Sequence, residues 1–246
     1  MSRINALIPA RGGSKGVPKK NIKLLHGHPL IAYSIIACQQ SKMIDKVIVS
    51  TDDQEIANVA LQYGAEVPFL RPSELAGDRS RDEEVIQHYF DSLGGSDIAY
   101  VRPTTPLRDP EVIDEEIKRY FHTKILVSTG VRSMHKVPES PHKMFQLDKN
   151  GYCCGFFEDF KGEKNYTNLP RQVFPAAYQP NGYLDIVKRV TLQDGDAFGE
   201  TVLPIITDFV LEVDTEYEFE LIDYHLATRG HKLLDKLNEA KSKNES

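Results

Sequence analysis

The chain has no apolar run near the ~20 residues of a membrane span, and its N-terminus lacks a signal-peptide h-region. A soluble, cytoplasmic protein is therefore expected. Cysteine is scarce: Cys38 and the adjacent Cys153-Cys154 are the only three in 246 residues. They form neither a C-x-x-C spacing nor an even framework, which argues against a disulfide scaffold or a cysteine zinc site. The eight histidines are scattered and make no H-E-x-x-H. Neither G-x-x-x-x-G-K-[ST] nor G-x-G-x-x-G occurs, pointing away from P-loop ATPases and dehydrogenases. A formal net charge of -6 argues against nucleic acid, whose binding domains carry a basic face.

Against that acidity, one segment is basic. From Arg11 to Lys23 there are five basic residues and no acidic one, within Ile8-Pro9-Ala10-Arg11-Gly12-Gly13-Ser14-Lys15-Gly16-Val17-Pro18-Lys19-Lys20-Asn21-Ile22-Lys23. The run follows the apolar Ala6-Leu7-Ile8, at the carboxyl end of a predicted first strand, where open α/β sheets bind ligands. Glycines permit positive φ and close backbone approach, and Arg and Lys donate to phosphate oxygens. The segment reads as a phosphate loop; a solvated basic turn is the alternative.

With 40% hydrophobic residues, the chain can bury one α/β domain with an insertion, or two unequal lobes. Strands are predicted near 4–9, 47–51, 67–70, 98–101, 125–131 and 202–206, with Phe209-Val210-Leu211 continuing the last rhythm. Helices are predicted from Pro29 to Gln40, with Ile31, Ile35 and Cys38 on one face, through Ala60 behind an Asp53 cap, from Asp82 to Leu93, near 111–121, and from Thr215 to Thr228. This alternation implies a mainly parallel sheet with helices on both faces. Between Met134 and Phe198 the rhythm breaks, with prolines at 138, 141, 170, 175 and 180. A polar tail, frayed at its end, is expected to close the chain.

Several motifs occur together: the loop itself, Val47-Ile48-Val49-Ser50-Thr51-Asp52, Phe69-Leu70-Arg71-Pro72-Ser73-Glu74-Leu75-Ala76-Gly77-Asp78, Arg102-Pro103-Thr104-Thr105-Pro106-Leu107-Arg108, Gln179-Pro180-Asn181-Gly182 and Val213-Asp214-Thr215. In this order they closely resemble the N-acylneuraminate cytidylyltransferases, the CMP-sialic acid synthetase family, over nearly the whole chain. The resemblance implies a Rossmann-like nucleotidyltransferase fold with a core of 1–133 and 199–230, an inserted dimerisation and sugar-binding lobe of 134–198, and a C-terminal tail of 231–246. It implies CTP and a 3-deoxy-2-ulosonic acid sugar as substrates, a CMP-sugar and pyrophosphate as products, and a homodimer whose lobe reaches over the partner's active site.

By the same resemblance Arg11 and Lys20 contact the triphosphate beside Gly12, Ser14 and Asn21, and Arg71 and Ser80 serve the nucleoside. Two bland readings stay open: Asn21 as a turn cap and Arg71 as a surface partner of Glu74. Glu212 and Asp214 alternate along an expected extended run, a placement suited to metal ligands, or equally to a solvated strand face. The family carries Asp-x-Asp here, so Asp214 is the firmer ligand of an implied Mg2+ (or Mn2+), a hard cation suited to carboxylate and phosphate oxygens. Arg11, Lys20 and Asp214 are the expected catalytic residues. On the sugar side the resemblance implies Arg102, Thr104, Lys143, Arg171, Gln179 and Asn181, with Arg102 standing where sialic acid enzymes carry Gln. That departure leaves sialic, legionaminic, pseudaminic or another nonulosonic acid as the acceptor. Two further classes remain: a sugar-1-phosphate nucleotidyltransferase, whose usual G-x-G-[ST]-R-x-x-P is missing, and a non-catalytic nucleotide-binding relative.

Overall fold

The structure, a computed structural model, describes residues 3–122, 128–192 and 195–244. The chain opens with strand β1 (Ile4–Pro9), a small hairpin of β2 (Leu24–Leu25) and β3 (His28–Pro29), helix α1 (Leu30–Gln40), β4 (Ile44–Ser50) and α2 (Gln54–Gln62). It continues through α3 (Asp82–Leu93), β5 (Asp97–Tyr100), α4 (Pro110–His122), β6 (Gly130–Val137), a second hairpin of β7 (Phe145–Leu147) and β8 (Cys153–Gly155), β9 (Ala177–Lys188) and α5 (Arg189–Leu192). It ends with β10 (Val202–Thr207), α6 (Glu216–Arg229) and α7 (Lys232–Asn244).

Six strands form one sheet in the order β10-β6-β9-β5-β1-β4. Only β9 runs antiparallel to its neighbours. Successive side chains on a strand face opposite ways, and here both faces are covered. Ala6 and Ile8 join the larger core with α1, α4, α6 and α7, whereas Leu7, between them, joins Ile86, Tyr89 and Phe90 of α3. Ile98 and Tyr100 against Ala99 repeat the division on β5. The expected helices on both faces are thus present. Because β1 pairs β4 on one side and β5 on the other, a crevice opens at its carboxyl end, where such sheets bind ligands.

Local signals set several element ends. Asp53 accepts from the Glu55 and Ile56 backbone N–H groups at 2.7 and 3.1 Å, capping α2. Thr215 and Glu218 form a reciprocal capping box on α6. Helix α1 is buried nearly all round, not on one face, because α4 and α7 both pack on it.

Several expectations are corrected. Within 67–70 only Leu70 bridges, to Thr51 just past β4, and 209–211 form no strand. Of the strand expected near 125–131, residues 125–127 lie outside the described residues, and β6 runs on to Val137. At the ends of the expected 134–198 insertion, β6 and β9 are strands of the main sheet, and the excursion between them spans 138–176. Its small core is aromatic, with the His142 ring stacked between Phe157 and Phe174 at 4.6 and 4.9 Å. Finally, the tail is a docked helix, with Leu233 and Leu237 buried against the core. Among the described residues no helix is long and apolar enough to cross a membrane.

Candidate active site

After β1 the chain enters the basic loop, which its neighbours hold at several points. The Gly12 N–H donates to Asp52 Oδ1 at 3.0 Å. Asn21, buried, donates from Nδ2 to the Arg11 carbonyl at 3.0 Å, so it clamps the loop and caps no helix. The expected reason for the glycines changes: none of Gly12, Gly13 and Gly16 has positive φ, and Lys19 does, at 52°. Crowding is the cause at two of them. A Cβ on Gly12 would lie 2.8 Å from Asp53 Oδ2, and one on Gly16 only 1.9 Å from the Asp214 carbonyl oxygen.

The loop forms one wall of a cleft of about 400 Å³ at the carboxyl ends of β1 and β5. Arg11, Ser14, Lys20, Asn21, Arg71, Ser80, Arg102, Thr104 and Asp214 all line it. Gly12 supports the loop behind them. Arg11 donates to the Gly77 carbonyl at 3.0 Å and pairs with Asp78 at 3.2 Å. Asp78 also takes Lys15 at 2.5 Å, and that hydrogen bond holds its carboxyl below the usual range. Lys20 reaches the opposite wall, donating to the Val213 carbonyl at 2.8 Å and to Asp214 Oδ1 at 3.1 Å.

Arg71 is not a surface partner of Glu74. It is 5% exposed and donates to Ser50 through Oγ (3.1 Å) and the carbonyl, and to the Leu75 carbonyl. Burial lowers its pKa from the ordinary arginine value. Ser80 donates to the Glu74 carbonyl at 3.1 Å, which ties the 74–80 segment together at this end of the cleft.

At the other end Arg102 lies between two carboxylates, Asp82 at 2.6 Å and Asp185 at 2.5 Å, with its guanidinium 5.0 Å from the Tyr100 ring centroid. Asp185 is buried and also accepts from the Ser133 N–H at 3.0 Å. Residues 208–215 are irregular, so strand alternation does not relate Glu212 to Asp214. Val213 between them is buried and donates its N–H to the Thr104 carbonyl at 2.7 Å. Asp214 projects into the cleft; Glu212 is half-buried outside its lining. Burial, then the Asp214 charge, raises the Glu212 pKa. Among the described residues no three His, Cys, Asp or Glu side chains make a ready metal cage. The donor set still fits Mg2+, which binds through one or two carboxylates plus substrate phosphates.

Four expected sugar-side residues do not line this cleft. The Lys143 ammonium donates to the Thr167 and Leu169 carbonyls inside the excursion. Arg171 lines a separate groove with Lys136 and donates to the Pro138 carbonyl at 3.3 Å. Gln179 is exposed near the start of β9. Asn181 is wholly buried, donating to Thr207 Oγ1 at 2.8 Å and accepting from the Tyr183 N–H. Sequence reasoning missed Asp82 and Asp185, whose partner Arg102 lies 20 and 83 positions away in the chain; a lone acid carries no local signal. Asp52 and Asp78, by contrast, each end a motif already visible in the sequence.

A family model described as cytidylyltransferase matches residues 5–220. The CMP-N,N'-diacetyllegionaminic acid synthase of Legionella pneumophila is 31% identical over 236 residues, covering 90% of this chain and 95% of its own. The pseudaminic acid cytidylyltransferase of Campylobacter jejuni is 28% identical, covering 87% and 92%. In shape, the CMP:2-keto-3-deoxy-manno-octonic acid synthetase complexed with CTP superposes with a TM-score of 0.68 over 92% of this chain and 99% of its own, at 14% identity. The loop, the cleft and these matches agree: the chain belongs to the cytidylyltransferase family.

Proposed function

We propose that this protein transfers CMP from CTP to a nonulosonic acid, releasing pyrophosphate. The observation that carries the reading is the convergence of Arg11, Lys20, Arg71, Ser80 and Asp214 on one cleft at the switch of strand order. Arg11 and Lys20 hold the triphosphate, and Arg71 and Ser80 the cytidine. The acceptor's hydroxyl attacks the α-phosphorus, the bond to the bridging oxygen breaks, and pyrophosphate departs. Negative charge grows on that leaving group, so Lys20 and Arg11, on the cleft wall, lower the barrier as they exchange Asp214 and Asp78 for it. Asp214 would hold Mg2+, which when bound would supply neutralising charge to the phosphate groups.

The relatives' names supply the acceptor class: legionaminic and pseudaminic acids are substrates of those proteins. A carboxylate-bearing sugar needs a cation, and within one chain Arg171 stands in another groove. We place Arg171, Lys143 and Gln179 at the sugar end of a partner's cleft in a homodimer. Exposed Phe145, Leu147 and Tyr152 on the excursion give that dimer an apolar contact surface.

The test is incubation with CTP, Mg2+ and a panel of nonulosonic acids, with CMP-sugar and pyrophosphate measured. Transfer to at least one is expected, and pyrophosphate release with a sugar 1-phosphate alone would overturn the reading. Mixing Lys20→Ala with Arg171→Ala is expected to restore activity through hybrid dimers, and failure to do so refutes action across subunits.

A further inference from the structure

Arg108 closes the Arg102–Arg108 motif, yet its side chain is wholly buried and does not line the cleft. A guanidinium has five N–H donors, and here each has an acceptor. Nε donates to the Tyr183 carbonyl at 2.6 Å. One terminal nitrogen donates to Ser34 Oγ at 2.8 Å and to the Thr105 carbonyl. The other donates to the Arg102 carbonyl at 2.5 Å and the Gly182 carbonyl at 2.8 Å. Among the described residues no carboxylate pairs with it, and burial draws its pKa down to about 10. A buried cation without a counter-ion is costly, so a fold that carries one needs what it provides. What it provides is geometric: one planar group joins the 102–105 turn to β9 and α1. Lysine, with three donors on one nitrogen, has no such fork.

The turn it holds is the support of the catalytic wall. The Thr104 carbonyl, between the two clamped carbonyls, accepts the Val213 N–H at 2.7 Å. The Val213 carbonyl in turn accepts Lys20 Nζ, which also bonds Asp214. Resting on the cytidylyltransferase reading, we propose that Arg108 is a positioning residue for the transfer step, fixing through the 102–105 turn where Lys20 and Asp214 stand.

The experiment uses Arg108→Lys, with Thr105→Val as a second variant that cuts another tie of the same turn, the 2.7 Å bond from Thr105 Oγ1 to the Asn181 carbonyl. Ile117→Val, a core change on α4, controls for lost stability. Two quantities are read below each variant's melting temperature: kcat at saturating CTP, and the rate at which an amine-directed acylating reagent labels Lys20 relative to the exposed Lys46. A displacement near 1 Å costs about a hundredfold in rate, so Arg108→Lys is expected to lower kcat about 30- to 100-fold while KM for CTP moves less than about threefold. Released from Val213, Lys20 is expected to label several-fold faster in both turn variants and at the wild-type rate in Ile117→Val. Folded variants with wild-type labelling and kcat overturn the proposal; should Arg108→Lys not fold, Thr105→Val alone decides. A wild type that transfers no CMP defeats the cytidylyltransferase reading instead, and the labelling comparison still decides the clamp.

Discussion

The glycine-rich loop makes its sharpest quantitative demand at Gly16. A Cβ there would lie 1.9 Å from the Asp214 carbonyl oxygen and 3.1 Å from its carbon, where real Cβ contacts do not fall below 3.0 Å. Gly16→Ala therefore forces a separation of at least 3.0 − 1.9 = 1.1 Å. Neither obstacle is a flexible side-chain end, and the Asp214 backbone is tied down: its N–H and that of Thr215 both donate to Glu218 at 2.8 Å. The loop is the side that yields, and it carries Lys15 and Lys20 with it. A shift of that size in a positioned group costs about two orders of magnitude in rate. Gly16 is exposed, so the melting temperature is expected to stay near wild type. Gly13 supplies the control, since a Cβ there meets nothing within 4 Å. Pyrophosphate release at saturating CTP and acceptor is the assay: Gly13→Ala should fall within about twofold of wild type and Gly16→Ala about a hundredfold below it. Equal rates for the two variants would refute the argument from crowding.

Lys20→Ala is expected to lower kcat by about two to three orders of magnitude with a smaller rise in KM for CTP; a change in KM alone makes Lys20 a ground-state binder. Asp78→Asn frees Arg11 and Lys15 from an internal competitor and should tighten CTP binding about two- to fivefold at low salt, which calorimetry detects; weaker binding would mean that Asp78 supports the nucleotide. Asp214→Asn should abolish transfer without loss of fold, checked by circular dichroism. Glu212→Gln, outside the cleft lining, should keep the wild-type half-saturating Mg2+ concentration, and a several-fold increase would place Glu212 on the ion.

What the sequence disclosed follows from the range of each signal. The basic loop and the Asp53 cap are local signals, and an unbroken apolar run such as Ala6-Leu7-Ile8 suits a strand covered on both faces. Asp82 to Leu93 was legible to the residue because an acidic first turn precedes an apolar stripe and Gly94 follows it. β9 was not legible as a sheet strand, since its prolonged pairing with β5 and β6 brings together residues forty or more positions apart. The docking of α7 was hidden for a similar reason: its charge density reads as a tail, and only Leu233, Leu234 and Leu237 carry the contact with the core. Within the site, Arg11, Lys20 and Asp214 came from motifs, whereas Asp82 and Asp185, paired with Arg102, came from the fold. The expectation for Glu212 and Asp214 rested on a strand that did not form, and Val213, bonded to Thr104, sets their placement instead.

These carboxylates change what the cleft offers to its substrates. Arg11 and Lys15 share Asp78, Lys20 holds Asp214, and Arg102 is held by Asp82 and Asp185. A triphosphate thus exchanges one anionic partner for another at the phosphate end, instead of meeting bare charge. That exchange is easy, because the side chains of Asp78 and Asp214 are 47% and 70% exposed and solvated ion pairs are worth little. The Arg102 end differs: Asp185 is 1% exposed, and breaking a buried pair leaves an uncompensated charge. Arg102 is consequently a fixed part of the wall and not a free receptor for the acceptor's carboxylate. Standing where the family has Gln, it alters shape and hydrogen bonding at this end of the cleft without adding an available positive charge. In the proposed reaction the cation for the sugar is then to be sought outside this part of the chain, which is the physical ground for looking to Arg171 across a subunit boundary.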